Sequence, residues 1–316
     1  MSPGSKNSDL HENVVVVSGK SNLWLRARII QAIRDFFVDR GYLEVETPYL
    51  IPAPTPETHI DPIETEGGFL HTSPELCMKR LLSSGYRKIF QICKSFRRGE
   101  RGAVHLPEFT ILEWYRAGID YRAIMEECEE MIWGIAHLLS LGKSIGYRGN
   151  QISLERPWVW MSVCEAFELY SSSTMEEALS NGMFHEIMAR EIEPRLGIER
   201  PVFLYDYPGQ LAALSQIKKD DPRLAERAEL YLGGLELANA FTELTDPEEQ
   251  RRRFESVALE RKSLGKPVHP FPEKFITALS SMPGSAGIAL GVDRLVMVFA
   301  DRADIGDVVT FTPEEL

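Results

Sequence analysis

The chain has 316 residues, 44% hydrophobic and 26% charged, with 35 Lys and Arg against 47 Asp and Glu and a net charge of −12. A chain of this length buries about 75% of its unfolded surface, so one large domain with insertions needs no disulfide or metal staple. The acidic surface repels a phosphate backbone on average, which argues against broad nucleic-acid binding and leaves room only for a local basic pocket.

Residues 1–22 are polar and are predicted to form a flexible tail. Ile29, Ile30, Ile33, Phe36 and Phe37 then recur at helical spacing over 26–39, and Gly41 is a natural stop. Leu43, Val45 and Thr47 alternate with Glu44 and Glu46, a strand running into Pro48. A proline-rich loop covers 52–56. Thr72-Ser73-Pro74-Glu75 opens a helix reaching Leu82. Strands follow at 89–96 and 108–115, joined by a loop rich in Arg and Gly. Residues 120–200 are predicted mostly helical, looser around 142–149, and 202–207 and 229–243 are predicted as strands. Asp246-Pro247-Glu248-Glu249 has an N-cap Asp, Pro at the first position and Glu at the third, so a helix should run to about Leu264 and stop at Gly265. The chain closes with a strand at 286–290, a glycine turn and a helix from Val292.

The four cysteines, Cys77, Cys93, Cys128 and Cys164, form no CxxC and read as buried free thiols. No apolar run approaches the ~18 residues of a membrane span, and Val14 to Val17 is too short for a signal-peptide core. The expected compartment is the cytoplasm.

Four places carry chemistry. Side chains two apart on a strand share a face, so Phe109, Ile111, Glu113 and Tyr115 point one way. An aromatic, a carboxylate and a phenol suit a pocket wall for a planar base and an ammonium; a solvent-facing strand side is the plainer alternative. The Arg97 loop suits phosphate, because the guanidinium fork makes two charge-assisted bonds, although such a loop is equally a solvated hairpin. In Gly287-Ile288-Ala289-Leu290-Gly291-Val292-Asp293-Arg294, Arg294 falls in a first helical turn, where a cation is unfavourable unless an anion binds beside it. It could also be an ordinary surface arginine. Glu229, Glu236 and Glu243 are seven apart. On one helix they form a solvated stripe, but Gly233-Gly234 breaks that helix, and on two strands they can converge on a cation such as Mg²⁺.

Taken in order, the 26–48 segment, Phe96-Arg97 with Pro107-Glu108-Phe109-Thr110, and Gly291-Val292-Asp293-Arg294 resemble the three motifs of class II aminoacyl-tRNA synthetases. Ser73-Pro74-Glu75-Leu76, Phe109-Thr110-Ile111-Leu112-Glu113-Trp114-Tyr115 and Gly234-Leu235-Glu236-Leu237-Ala238-Asn239-Ala240-Phe241-Thr242-Glu243-Leu244 resemble the lysyl branch. The expected fold is α/β of the α+β kind: a mainly antiparallel sheet flanked by helices, over 23–316, with a helical insertion at about 120–200. The lysyl enzymes carry an anticodon-binding domain before the first motif; with that motif so close to Met1, none is expected here. The chain therefore resembles the elongation factor P–(R)-β-lysine ligase family. Ser73, where lysyl enzymes usually have Ala, and Ala289, where they have Gly, fit that pattern. Ala289 would fill space near the α-carbon, and the Ser73 hydroxyl would meet a displaced amine.

The resemblance implies ATP as substrate and Mg²⁺ as cofactor. It implies Arg97 on the α-phosphate, Arg294 on the γ-phosphate, Phe109 stacked on adenine, His105 beside the nucleotide, and Glu229 and Glu236 on the metal. Glu75 and Asn239 would face the backbone end of the amino acid, and Glu113, Tyr115 and Glu243 its side-chain ammonium. One departure stands out. The glutamate usually two after the motif arginine is replaced by Gly99, and the next residue is Glu100, which either reaches the same ligand from a shifted loop or falls short of it. The implied reaction is activation of (R)-β-lysine or lysine as acyl-adenylate and transfer to a lysine of elongation factor P, by a two-fold dimer without membrane or tRNA. The alternatives are a stand-alone lysyl-adenylate enzyme acting on RNA or making diadenosine tetraphosphate, and a catalytically inactive paralogue serving as a regulatory subunit.

Overall fold

A computed structural model describes residues 20–316. The predicted tail at 1–22 therefore lies outside the described residues, except for its end. That end is helical: α1 spans Lys20–Asp39. Asn22 is buried and its Nδ2 donates to Asp307 O at 3.0 Å, a long-range anchor that local periodicity does not announce. Gly41, at φ 73°, ends the turn after α1 as expected.

The first predicted strand shrinks to β1 (Leu43–Glu44). A small sheet follows, built of β2 (Leu50–Ile51), β3 (Ile63–Thr65) and β4 (Gly68–Leu70). Then come α2 (Glu75–Ser83), β5 (Lys88–Phe96), β6 (Glu108–Ala117) and α3 (Tyr121–Leu138). Asp120 caps α3 by accepting from Ala123 N. The segment read as mostly helical also contains the hairpin β7 (Ser144–Tyr147) and β8 (Asn150–Ser153) and the strand β9 (Val159–Ser162). These strands have only four residues each, so alternation at Ile145, Tyr147 and Ile152 is too brief to outweigh the surrounding helical pattern. The helices α4 (Val163–Tyr170), α5 (Met175–Ser180) and α6 (Phe184–Ile187) follow.

Next are β10 (Val202–Pro208), β11 (Leu224–Leu232), β12 (Leu235–Thr242), α7 (Pro247–Ser263), α8 (Glu273–Leu279), β13 (Ser285–Gly291) and α9 (Val292–Phe299). The β11–β12 hairpin turns on Gly233 and Gly234, both at positive φ, as a two-residue turn matched to strand twist requires. Asp246 caps α7, and Gly265 lies just beyond it at φ 68°.

The large sheet runs β1-β5-β6-β13-β12-β11-β10-β9. Its six central strands pair antiparallel, and the short edge strands β1 and β9 pair parallel. This is the expected mixed, mainly antiparallel sheet. One face carries the main core, where Leu112 and Trp114 of β6 and Ile288 and Leu290 of β13 pack under α1, α3 and α9. On the other face α2, α7 and α8 gather a second core around Met78, Ile89, Phe254 and Phe275. They cover only part of that face and leave a cavity beside it. All four cysteines are unpaired; Cys93 and Cys128 are buried, while Cys77 and Cys164 are only half-buried. No helix among the described residues is long and apolar enough to cross a membrane.

Candidate active site

Register across the sheet places side chains from five strands in a single transverse row. Glu229 of β11 pairs with Asn239 of β12, Asn239 with Ala289 of β13, Ala289 with Glu113 of β6, and Glu113 with Gln91 of β5. The next row on the same face is Arg227, Phe241, Gly287, Tyr115 and Ile89. Gly287 admits no side chain, since a Cβ there would lie 2.2 Å from Glu243 Oε1 and from Tyr115 Cε1. Above the rows is a cavity of about 390 Å³. Ser73, Glu75, Arg97, Glu100, His105, Phe109, Glu113, Tyr115, Glu229, Glu236, Asn239, Ala289 and Arg294 all line it.

One end of the cavity gathers its arginines, each with a carboxylate within 4 Å. Arg294, in the first turn of α9, donates from Nη1 to Glu236 O at 2.8 Å and from Nε to Val104 O at 3.3 Å, and its Nη2 lies 2.5 Å from His105 Nε2. Burial and the Arg294 charge lower the His105 pKa. His105 is therefore neutral, with Nε2 accepting from Arg294. The Arg97 guanidinium lies 4.9 Å over the Phe109 ring, the ring expected to stack on adenine. Gly99 takes φ 80°, a turn that L residues resist. The turn brings Glu100 to the cavity wall, 3.6 Å from Arg97 Nη1.

The other end is anionic and buried. Ser73 Oγ donates to Glu113 Oε1 at 2.6 Å and accepts from Glu75 N at 3.0 Å, which leaves the hydroxyl one acceptor lone pair for the expected amine. Tyr115 Oη donates to Glu113 Oε2 at 2.8 Å. Glu243 departs from expectation: it is fully buried beneath the cavity and does not line it. Its partner is Lys79, whose Nζ lies 2.5 Å from both Glu243 Oε2 and Glu75 Oε1. Burial works against the Lys79 charge, but Glu243 and Glu75 outweigh it and hold its pKa above the usual lysine value. Burial pushes Glu113 up to about 7, with the Glu75 charge adding to the effect, and pushes Glu243 up to about 8.

Glu229 and Glu236 differ in how free they are for the implied magnesium. Glu229 accepts from Arg227 Nη2 at 2.7 Å, from Tyr207 Oη at 2.5 Å and from Tyr231 Oη at 2.7 Å. The Glu236 carboxylate takes no hydrogen bond among the described residues, with Arg294 Nη1 3.7 Å away, and burial beside the Glu229 charge pushes it up to about 7. Among the described residues no three His, Cys, Asp or Glu side chains gather into a full metal cage. Two carboxylates completed by substrate phosphates are the donor set Mg²⁺ favours, so the pair fits that ion.

Sequence reasoning missed four residues at this site. Lys79 follows Glu75 by four, a visible helical ion-pair spacing. Its bond to Glu243 is not visible at that range. Arg227 sits two before Glu229 on one strand face. Asp293 binds Arg26 Nη1 at 2.5 Å and accepts from Thr110 N at 2.7 Å, tying α1, β6 and α9 together. Glu57, from the proline-rich loop, lines the cavity and gives no sequence signal.

The sheet, the motif order and this cavity define a class II synthetase core, and the comparisons agree. The model of the tRNA synthetases class II (D, K and N) family matches residues 12–315, and the chain belongs to that family. Within it, the chain is 39% identical over 311 residues to the elongation factor P–(R)-beta-lysine ligase of Edwardsiella ictaluri, covering 92% of this chain and 95% of the relative. It is 38% identical over 309 residues to the enzyme of the same name from Salmonella gallinarum, covering 92% of this chain and 94% of the relative.

Proposed function

We propose that the chain is an ATP-dependent ligase that activates (R)-β-lysine, or lysine, as the acyl-adenylate and transfers it to a lysine side chain of elongation factor P. The observation that carries the reading is the excess of buried carboxylate at one end of the cavity. At the anionic end Glu75 and Glu243 share one resident ammonium, Lys79, and a third carboxylate, Glu113, is bonded only by the Ser73 and Tyr115 hydroxyls. Buried charge without a partner is expensive. An amino acid with two ammonium groups supplies the two missing cations; one with a single ammonium does not. The acceptor rests on the names of the relatives. The net charge of −12 weighs against tRNA.

In the first step the substrate carboxylate attacks the α-phosphorus in line and pyrophosphate leaves. The carboxylate is already ionised, so no base is required. Arg97 and Arg294 act by positioning and by stabilising the phosphate charge. Mg²⁺ held by Glu229 and Glu236 would neutralise phosphate charge there. In the second step the acceptor amine attacks the acyl carbon and AMP leaves. The gathering of Arg97, Arg294, Glu229 and Glu236 in one cavity supports a working enzyme over an inactive subunit. The same reading includes the cytoplasm and a two-fold dimer, for which Leu43, Tyr49 and Leu50, each about half exposed, offer apolar surface. Amino-acid-dependent pyrophosphate exchange, followed by offering elongation factor P and tRNA as acceptors, tests the proposal. Charging of tRNA with no modification of elongation factor P would sink it.

The anionic end also sets how binding responds to pH and to side-chain size. Burial, with neighbouring carboxylate charge adding to it, keeps protons on Glu113 and Glu243 near neutral pH. A bound dication favours the anions, so the amino acid should release protons on binding at pH 7 and bind more weakly as pH falls below that. Calorimetry in two buffers of different ionisation heat should differ; identical heats would remove the ammonium from this pocket. Separately, Ala289 stands between Asn239 and Glu113 in the transverse row, so its methyl fills space beside the substrate backbone. Ala289→Gly should raise α-lysine activation several-fold with little change in the KM for ATP. One methyl discriminates by about 1–3 kcal/mol. Equal use of α-lysine by wild type and variant would refute the assignment.

A further inference from the structure

The geometry points to Glu57 as the general base that frees the acceptor amine for the second step. The inference rests on the proposed acyl transfer to a protein lysine and names the group that transfer lacks.

Glu57 is carried by a loop that the rest of the protein holds rigidly. Arg261 of α7, 2% exposed, donates to Glu57 O at 2.8 Å, Ile60 O at 3.3 Å and Asp61 Oδ1 at 2.7 Å. Lys266 Nζ donates to Thr58 O at 3.1 Å, and Thr58 Oγ1 donates to Glu260 Oε2 at 2.7 Å. Arg98 N donates to Asp61 O at 2.7 Å. A loop fixed at this many points is a scaffold for a functional side chain. The Glu57 carboxylate itself takes no hydrogen bond or ion pair among the described residues and lines the cavity.

Its charged neighbours locate it. Arg97, Glu75, Glu100 and Arg227 line the same cavity as Glu57 and their charges act on it. Arg97 belongs to the α-phosphate end and Glu75 to the amino-acid end. The acyl–phosphate bond of the adenylate lies where those ends meet. Burial pushes the Glu57 carboxyl up to about 7; Arg97 opposes the rise, while Glu75 and Glu100 add to it. A base working near neutral pH is most effective at such a value. Glu57 is surrounded by protein but open to the cavity it lines, so the residue keeps part of its surface exposed and its proton can return to solvent between turnovers.

The step balances. The acceptor ammonium gives one proton to the Glu57 carboxylate. The freed lone pair forms the C–N bond to the acyl carbon, the C–O bond to the phosphate breaks, and AMP leaves with that electron pair. The second nitrogen proton passes to the departing phosphate.

The test uses the full chain with adenylate already formed on it, offered either elongation factor P or hydroxylamine, an amine unprotonated at neutral pH. Glu57→Gln should slow transfer to elongation factor P by at least about 100-fold relative to adenylate formation, and Glu57→Asp should restore part of it. The wild-type transfer rate should fall as pH drops through about 7, and the Gln variant should lack that limb. Reaction with hydroxylamine should proceed in the Gln variant at close to the wild-type rate. An equal loss with hydroxylamine would mean a structural role and overturn the proposal. A raised KM for the amino acid in pyrophosphate exchange, matching the loss of transfer, would assign Glu57 to the substrate amine and overturn it too. A wild-type enzyme that forms adenylate but never modifies elongation factor P would bring down the acceptor reading, and the base role with it.

Discussion

Arg294→Ala should lower pyrophosphate exchange by about 10²–10³-fold, or about 3–4 kcal/mol of transition-state stabilisation. The size follows from how the guanidinium is held. A cation in the first turn of α9 opposes the helix dipole, yet Val104 O, Glu236 O and His105 Nε2 fix all three guanidinium nitrogens. None of those partners is a carboxylate in contact, since Glu236 Oε2 is 3.7 Å away. The charge is therefore oriented but not neutralised, as a group awaiting phosphate must be. Arg294→Lys keeps the charge and loses the planar fork, so it should fall between wild type and Ala. The fold should survive, because Leu295, Val296 and Val298 seat α9 in the core. Thermal unfolding followed by circular dichroism checks that point. Near-wild-type exchange by the Ala variant would remove Arg294 from the site.

Period-two alternation made much of this site legible. On β6 it separated Phe109, Ile111, Glu113 and Tyr115 from Leu112 and Trp114, and the first set lines the cavity while the second is core. Glycine chemistry separated β11 from β12 and so brought Glu229 and Glu236 onto neighbouring strands. Both signals are local. What stayed hidden depends on partners far along the chain. Lys79 meets Glu243 across 164 residues, and Arg261 fixes the Glu57 loop across about 200. No window of sequence contains either pair. Glu243 shared the spacing of the other two glutamates and was expected with them at the ligand, yet it ends beneath the cavity. The register of β12 beside Gly287, and not spacing, decides its place. The strands at 144–162 were missed for a different reason. Each is four residues long, and tertiary pairing rather than propensity makes them strands.

Lys79→Met should destabilise the protein by about 3–5 kcal/mol, since removing one partner from a buried ionic cluster leaves its counter-charges unpaired. Met nearly matches the volume, so packing loss is small. The burden falls on Glu75 and Glu243, which both lie 2.5 Å from the ammonium. The sign of the pH dependence follows. Glu243 already has a folded-state pKa of about 8, above the unfolded carboxylate value of 4.5. A raised carboxyl pKa contributes stability below the unfolded value, and that stability is lost as pH rises through the folded one. Without Lys79 the anion is disfavoured further and the folded value rises again. From about pH 5 to about pH 8 the Glu243 carboxyl is protonated in both folded proteins, so the stability gap between variant and wild type should stay level there and widen above about pH 8, measured by denaturant midpoints at each pH. A gap independent of pH would mean that lost packing, not unpaired charge, causes the defect. Removing the stranded charge gives the complementary result. Adding Glu243→Gln to Lys79→Met should recover part of the lost stability at pH 8 and little at pH 5. The recovered protein should still bind lysine poorly, because the three-carboxylate arrangement that favours a dication is gone.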